Sequence, residues 1–152
     1  MLNFISDISH YDIVLNLATQ AKRSLWIGTA DIKDLYVIQG RVEKPFLGIL
    51  AELIGRGVEI RLIHAKEPGP NFREDFDRYP RLAKMLERVM CPRVHFKIIV
   101  IDQKICYVGS ANLTGAGMGV NVKNAKDINI VLTLSHNFKK YHLFINLCPQ
   151  TA

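Results

Sequence analysis

The sequence lacks a long apolar run. None of the apolar stretches in its 152 residues reaches the roughly 18 residues that a membrane-spanning helix needs. Residues 1–12 carry acidic and polar side chains where a secretory signal would carry a basic end and an apolar core. We therefore expect a soluble protein of the cytoplasm.

Cysteine is scarce as well. Three cysteines occur, Cys91, Cys106 and Cys148, and no two of them form a C-x-x-C pair. Their number and spacing indicate neither a disulfide framework nor a zinc site, and they fit a reducing compartment. Cys91 lies four residues before His95, but the sequence supplies no second pair of metal ligands nearby. No metal site is predicted.

Acidic residues are fewer than basic ones. The chain has 20 Lys and Arg against 14 Asp and Glu, which gives a net charge of +6. This excess favours an anionic partner without saying which one. With 49% apolar residues, the chain is large enough to bury a core. We expect one domain that spans residues 1–152.

Helical and strand patterns alternate along the first part of the chain. Residues 9–23 place apolar side chains at helical spacing, namely Ile13, Val14, Leu17 and Ala21. Residues 24–30 and 58–65 are typical of strands, and a helix is predicted from Pro45 to about Gly57. This order of helix, strand, helix and strand indicates an α/β fold with a parallel sheet.

A second helical region is predicted over residues 71–90, in two parts of which the second begins at Pro80. Its apolar stripe comprises Leu82, Met85, Leu86 and Val89, and its opposite side carries Arg81, Lys84 and Arg88. This basic ridge either follows a phosphate backbone or is a solvated face. His64 ends the preceding strand, and we interpret it as a hydrogen-bonded structural residue.

The densest group of reactive side chains lies between His95 and Thr114. Residues 96–101 predict a strand, residues 102–104 a turn, and residues 105–108 a returning strand. Because side chains alternate along a strand, His95 and Lys97 share one face. The hairpin then returns Gly109, Ser110 and Asn112 beside them.

These side chains suit a phosphoryl group. Lys97 supplies positive charge, and His95 can act as nucleophile or proton carrier. Ser110 and Asn112 supply hydrogen-bond donors, while Gly109 allows the backbone to approach closely. Taken singly, these residues would be a polar strand end and an ordinary turn. Their occurrence together at fixed spacing favours the phosphoryl site.

The pattern H-x-K, four residues, D, six residues, G-S-x-N resembles the HKD signature of the phospholipase D superfamily. The resemblance is carried by His95, Lys97, Asp102, Gly109, Ser110 and Asn112. It implies an α-β-α sandwich with a mixed, mainly parallel sheet, and a phosphodiesterase that needs no metal or other cofactor. It further implies that the HKD His forms a phosphohistidine intermediate while the Lys and Asn hold the phosphate oxygens.

The resemblance also points to Asp127. In the family a carboxylate on the strand after the GSxN segment hydrogen-bonds the reacting His, and Asp127 lies at the matching position in the predicted strand 126–132. Many nuclease-like members carry Glu there. By contrast, Asp102 falls at the hairpin turn, on the opposite strand face from His95, which indicates a structural role. Residues 135–147 are predicted to close the chain as a helix.

The sequence contains a single HKD motif. In-line displacement at phosphorus needs a nucleophile on one side and a proton donor on the other, and one imidazole cannot fill both positions. A second copy of the chain would supply the other His95. We therefore predict a homodimer with the active site at the two-fold axis.

Three functions remain open. A nuclease that cleaves DNA or RNA is favoured, because the chain is basic and the smallest single-motif relatives include bacterial endonucleases. A phospholipase or phosphatidyl transferase would need an exposed apolar rim, for which Phe72 and the glycine-rich loop around Met118 are the candidates. A non-catalytic interaction module would not need the intact motif.

Overall fold

The structure is a computed structural model that describes residues 2–6, 10–33, 35–39, 42–67, 69–114 and 128–133. Four sequence predictions fall outside these ranges: the Met118 loop, the role of Asp127, the final helix at residues 135–147, and the state of Cys148.

Nine strands occur in the described ranges. In chain order they are β1 (Leu2–Ser6), β2 (Ser24–Thr29), β3 (Tyr36–Gln39), β4 (Val42–Pro45), β5 (Glu59–His64), β6 (Glu87–Met90), β7 (Lys97–Ile101), β8 (Ile105–Gly109) and β9 (Ile128–Thr133). Strands β3 and β4 form a separate hairpin, and the other seven form the central sheet.

The helices of the described chain lie between these strands. A π-helical segment, His10–Leu15, continues into α1 (Asn16–Ala18). The longest is α2 (Phe46–Gly55), and α3 (Pro70–Asp77) and α4 (Pro80–Met85) follow β5. The predicted helix after Pro45 is confirmed. It ends before Gly57, whose φ of +85° suits glycine and stops the helix.

The central sheet has the order β1-β9-β8-β7-β2-β5-β6. The pairs β2 with β5 and β5 with β6 are parallel, and the other four neighbouring pairs are antiparallel. Followed across the sheet, these pairings give five strands that share one direction, since only β7 and β9 run the opposite way. The mixed α/β sheet is confirmed; most strands share a direction, although most neighbours are antiparallel.

The main apolar core lies between one face of the sheet and α2. The strands contribute Leu25, Ile27, Ile60, Leu62 and Ile99, and α2 contributes Phe46, Leu47, Ile49, Leu50, Leu53 and Ile54. Burial of each such side chain contributes about 1.5–3 kcal/mol to folding. A smaller cluster on the opposite face contains Ile63, Cys91 and Val94, with Phe96 packed against it. The two clusters fix β2 and β7 from both sides.

The region after Pro80 differs from the prediction. Residues 87–90 are not helical: they form β6, which pairs in parallel with β5. Of the predicted apolar stripe, Leu82 is fully buried, whereas Met85 is 61% exposed. The basic ridge is also wrong, because Arg88 lies on β6 while Arg81 and Lys84 stay on α4. Pairing with β5 supplies backbone hydrogen bonds that outweigh the helical pattern of the sequence.

The first helix is shorter than predicted. Among the described residues of the predicted helix 9–23, helical backbone covers 10–18 and residues 19–23 are not helical. Ile13 of its apolar stripe is 44% exposed. Val14 and Ala21 are buried, as the pattern indicates.

His64 is the structural residue that the sequence predicts. Its side chain is fully buried, Nδ1 lies 2.8 Å from the carbonyl oxygen of Lys66, and Nε2 accepts a 2.8 Å hydrogen bond from Nε of Arg88. Burial lowers the pKa of His64 below its ordinary value of 6.5, and the charge of Arg88 lowers it further. The imidazole is therefore neutral, which its role as an acceptor requires.

Two of the cysteines, Cys91 and Cys106, lie in the described residues, and both are buried. Cys106 is a free thiol.

Candidate active site

The β7–β8 hairpin brings the motif residues to one edge of the sheet. Lys97 pairs with Gly109 across the hairpin, and Ile98 pairs with Gly28 of β2. Strands β2 and β5 end at this level, where Thr29 pairs with His64. We call this the site edge: the end of the sheet at which β2, β5 and β8 finish and β7 begins.

His95 and Lys97 lie next to each other at the site edge. Nζ of Lys97 donates a 2.8 Å hydrogen bond to the carbonyl oxygen of His95 and lies 3.5 Å from its Nε2. The His95 side chain is exposed. The arrangement therefore offers an imidazole nitrogen and an ammonium group side by side to a ligand from solvent.

Asn112 is held by a backbone group that the motif does not contain. Its Oδ1 accepts a hydrogen bond of 3.2 Å from the N–H of Asp31. Since the oxygen is engaged, the amide nitrogen remains as the donor for a substrate oxygen. Asp31 contributes to the site through its backbone N–H.

Thr29 connects β2 to the loop that carries Asn112. Its hydroxyl donates to the carbonyl oxygen of Asp31 at 2.7 Å and accepts from the N–H of Leu113 at 3.1 Å. Thr29 is 1% exposed, so these hydrogen bonds are shielded from water. Ile32 forms a further parallel bridge with Leu113. Sequence reasoning missed Thr29, because nothing in its surroundings marks it as more than a strand residue.

Gly109 and Ser110 complete the group of motif residues at the site edge. Gly109 ends β8 opposite Lys97, and Ser110 follows it with an exposed side chain. The sequence predicted this convergence of His95, Lys97, Gly109, Ser110 and Asn112 from the hairpin alone.

Asp102 lies at the opposite end of the hairpin. Its carboxylate accepts hydrogen bonds from the N–H groups of Lys22, Arg23 and Ser24, at 2.7–3.1 Å. Burial opposes ionisation of Asp102, but these backbone hydrogen bonds outweigh it and lower its pKa. The carboxylate thus ties the hairpin turn to the start of β2, which is the structural role that the sequence indicated.

Phe96 lies between the two reactive residues, and Gly28 makes room for it. A Cβ atom at Gly28 would overlap the Phe96 ring and approach Ile98 to 2.9 Å. The absence of a side chain at Gly28 therefore allows the backbone from His95 to Lys97 to lie against β2. This contact is the second feature that the sequence analysis missed.

A small cavity below the site edge is lined by Thr29, Lys97, Tyr107 and Leu113, among others. The Tyr107 side chain is buried, and its hydroxyl finds no hydrogen-bond partner among the described residues. Burial raises the pKa of Tyr107 to about 12, so the phenol is neutral.

The described part of the chain contains no group of three or more His, Cys, Asp or Glu side chains placed to share a metal ion. None of the described helices combines the length and apolar character that a membrane span requires.

Comparison with known proteins gives a family match. The family model described as "Cardiolipin synthase, PLD-like domain" matches residues 14–143. Phospholipase D Z of Dictyostelium discoideum is 28% identical over 127 residues, which cover 74% of this chain and 29% of that protein. The chain thus spans less than a third of this curated relative.

Two solved structures are similar over most of both chains. Nuc from Salmonella typhimurium, a phospholipase D family member, has a TM-score of 0.62 at 16% identity, and the match covers 88% of this chain and 84% of Nuc. NucT from Helicobacter pylori has a TM-score of 0.61 at 13% identity, with 86% and 84% covered. At these identities the likeness shows a shared fold.

Proposed function

Because the chain belongs to the phospholipase D-like family, we propose that it is a metal-independent phosphodiesterase that cleaves nucleic acid at a site shared by two copies. Family membership supports a phosphodiesterase-type enzyme. The proposal rests above all on one observation: Nζ of Lys97 lies 3.5 Å from Nε2 of the exposed His95, at the sheet edge that also carries Asn112.

In the proposed first step, a His95 ring nitrogen attacks the phosphorus of a bound diester. A phosphorus–nitrogen bond forms, the bond from phosphorus to the leaving oxygen breaks, and that oxygen takes a proton. Lys97 and the Asn112 amide stabilise the charge on the non-bridging phosphate oxygens. Ser110 and the backbone at Gly109 add donors on the same side. Asp127, which lies outside the described residues, is proposed to orient the imidazole.

In the second step, water attacks the phosphohistidine and the phosphorus–nitrogen bond breaks. The attacking water must lose a proton on the side from which the first leaving group departed. We assign both proton transfers to the partner's His95, which donates in the first step and accepts in the second. This requires a homodimer with the active site at its two-fold axis.

A nucleic acid is the substrate class that we favour. The net charge of +6 suits a polyanion. The alternative is a phospholipase or phosphatidyl transferase, favoured by the names of the matching family and relative. That function would need an exposed apolar rim, and Phe72, one of the candidates for it, is only 3% exposed.

A cytoplasmic location belongs to the proposal as well. Fractionation of cells that produce the protein would test it.

The proposed function is tested by a substrate panel in excess EDTA. Labelled single-stranded DNA, duplex DNA, RNA and phospholipid vesicles are each incubated with wild type and with His95→Asn. We expect cleavage of a nucleic acid that survives EDTA and is abolished in the folded His95→Asn variant. Loss of activity in EDTA that Mg²⁺ or Zn²⁺ restores would contradict the metal-free mechanism, and turnover of phospholipid alone would favour the alternative.

A further inference from the structure

A groove of about 450 Å³ runs along the outer side of α2. From the strand β4 and from α2 it is lined by Lys44, Pro45, Gly48, Ala51 and Glu52, and from the chain around the start of α4 by Arg78, Tyr79, Pro80 and Arg81. None of the sequence motifs contributes to it. The lining contains three basic side chains against one acid.

The groove begins near the site edge. Helix α2 is followed by β5 after only three residues, so its first residue, Phe46, lies toward the edge at which β5 ends. Two backbone hydrogen bonds lie between the site edge and the groove. The N–H of Lys33 donates to the carbonyl oxygen of Leu113, and the N–H of Phe46 donates to the carbonyl oxygen of Leu35. Lys33 therefore contacts the loop that carries Asn112, and Leu35 contacts the start of α2 at the upper end of the groove.

The basic side chains differ in how far they are neutralised. Lys44 pairs with Glu52 at 3.0 Å, and Arg78 pairs with Asp75 at 2.9 Å. Arg78 is nonetheless 67% exposed, so its remaining donors face solvent. Arg81 forms no ion pair with any acid that the structure describes. Arg81 is thus the cation most available to an anionic ligand.

Two glycines of α2 allow side chains from the other side of the groove to lie close to the helix backbone. A Cβ atom at Gly48 would lie 2.9 Å from the Tyr79 hydroxyl oxygen, and one at Gly55 would overlap the Arg81 guanidinium. Tyr79 and Arg81 therefore pack against the backbone of α2 rather than extending freely into water. A guanidinium held in this way loses less conformational entropy when it binds a phosphate.

We propose that this groove binds a segment of single-stranded nucleic acid that leads from the phosphate that is cleaved along α2 to Arg81. Arginine side chains match phosphate oxygens in geometry as well as charge. A volume of this size is in the range that proteins use for small ligands, and it fits a few groups of one strand. The inference rests on the proposed function, since it names the form of its substrate.

The test measures binding separately from cleavage. Every protein carries His95→Asn so that a fluorescein-labelled single-stranded 12-mer stays intact, and its anisotropy is followed at several salt concentrations. Against this background we compare Arg81→Gln and Arg78→Gln with Lys104→Gln, which removes an exposed cation that lies in the β7–β8 turn and not in the groove lining. Circular dichroism checks that each variant folds.

We expect Arg81→Gln to raise the Kd about fivefold to tenfold and to reduce the slope of log K against log salt by about 0.7, as loss of one phosphate contact on a single strand does. Lys104→Gln should change the Kd less than about twofold. Equal Kd values for Arg81→Gln, Arg78→Gln and Lys104→Gln would contradict binding of the strand in the groove, and they would leave the nuclease proposal intact.

Two further results separate the inference from the proposed function. If the His95→Asn parent fails to bind the 12-mer while the protein with His95 intact cleaves duplex DNA or RNA, binding in the groove is contradicted and the nuclease proposal is supported. If the His95→Asn parent binds the 12-mer through the groove but the protein with His95 intact cleaves no nucleic acid, the groove proposal is supported and the nuclease proposal is contradicted.

Discussion

At the scale of single residues, the site depends on groups that no motif contains. Asn112 is part of the signature, but the N–H that fixes its amide belongs to Asp31, some eighty positions away in sequence. The hydroxyl of Thr29 holds both segments together. A sequence pattern records which side chains are present, whereas the orientation of an amide follows from contacts that only the folded chain creates.

Gly28 gives a prediction at this scale. In Gly28→Ala the new methyl group would occupy the place of the Phe96 ring, so the ring must move and carry His95 and Lys97 with it. We expect kcat to fall about tenfold to a hundredfold, because small misplacements of reacting groups have effects of this size. Steady-state kinetics on the substrate identified by the panel would measure the change.

Gly69→Ala is the matched control, because a Cβ atom at Gly69 meets nothing within 4 Å. It should leave kcat unchanged. Circular dichroism and thermal unfolding would show that both variants fold. Wild-type kcat in folded Gly28→Ala would contradict the proposed positioning of His95 and Lys97 through Phe96.

At the scale of secondary structure, local elements were predictable and non-local ones were not. The β7–β8 hairpin follows from neighbouring residues, and its turn at Asp102 and Gln103 adopts positive φ angles of 52° and 56°. The strand β6 shows the opposite case. Its residues continue the helical pattern of α4, and only pairing with β5, far away in sequence, makes them a strand.

The link between β5 and β6 predicts a dependence of stability on pH. The folded pKa of His64 lies below 6.5, chiefly because of burial. Below about pH 6.5 the unfolded chain therefore binds a proton at His64 that the folded chain does not. The free energy of unfolding is highest above that pH and decreases as the pH falls.

Urea unfolding at pH 7.5 and pH 5.5 measures this effect. Wild type should lose more unfolding free energy between the two values than His64→Gln, in which the titrating group is gone. An equal loss in both proteins would show that His64 does not titrate differently in the folded and unfolded chains.

At the scale of the whole molecule, the proposed reaction needs more than the described site edge provides. That edge holds an imidazole, an ammonium group and an amide, whereas displacement at phosphorus also needs a proton donor on the far side. We propose that His95 of the partner subunit supplies it across a two-fold axis. The proposal follows from the single HKD motif in the sequence.

The central claim is the shared site, and mixing subunits tests it most directly. His95→Ala chains are combined with wild type in varying proportions, allowed to exchange, and assayed for diester cleavage, while light scattering gives the mass in solution. Random pairing into dimers with inactive heterodimers predicts that an equal mixture retains about a quarter of the activity per total chain. A monomeric mass with activity that falls in proportion to the mutant fraction, to about half at equal mixing, would contradict it.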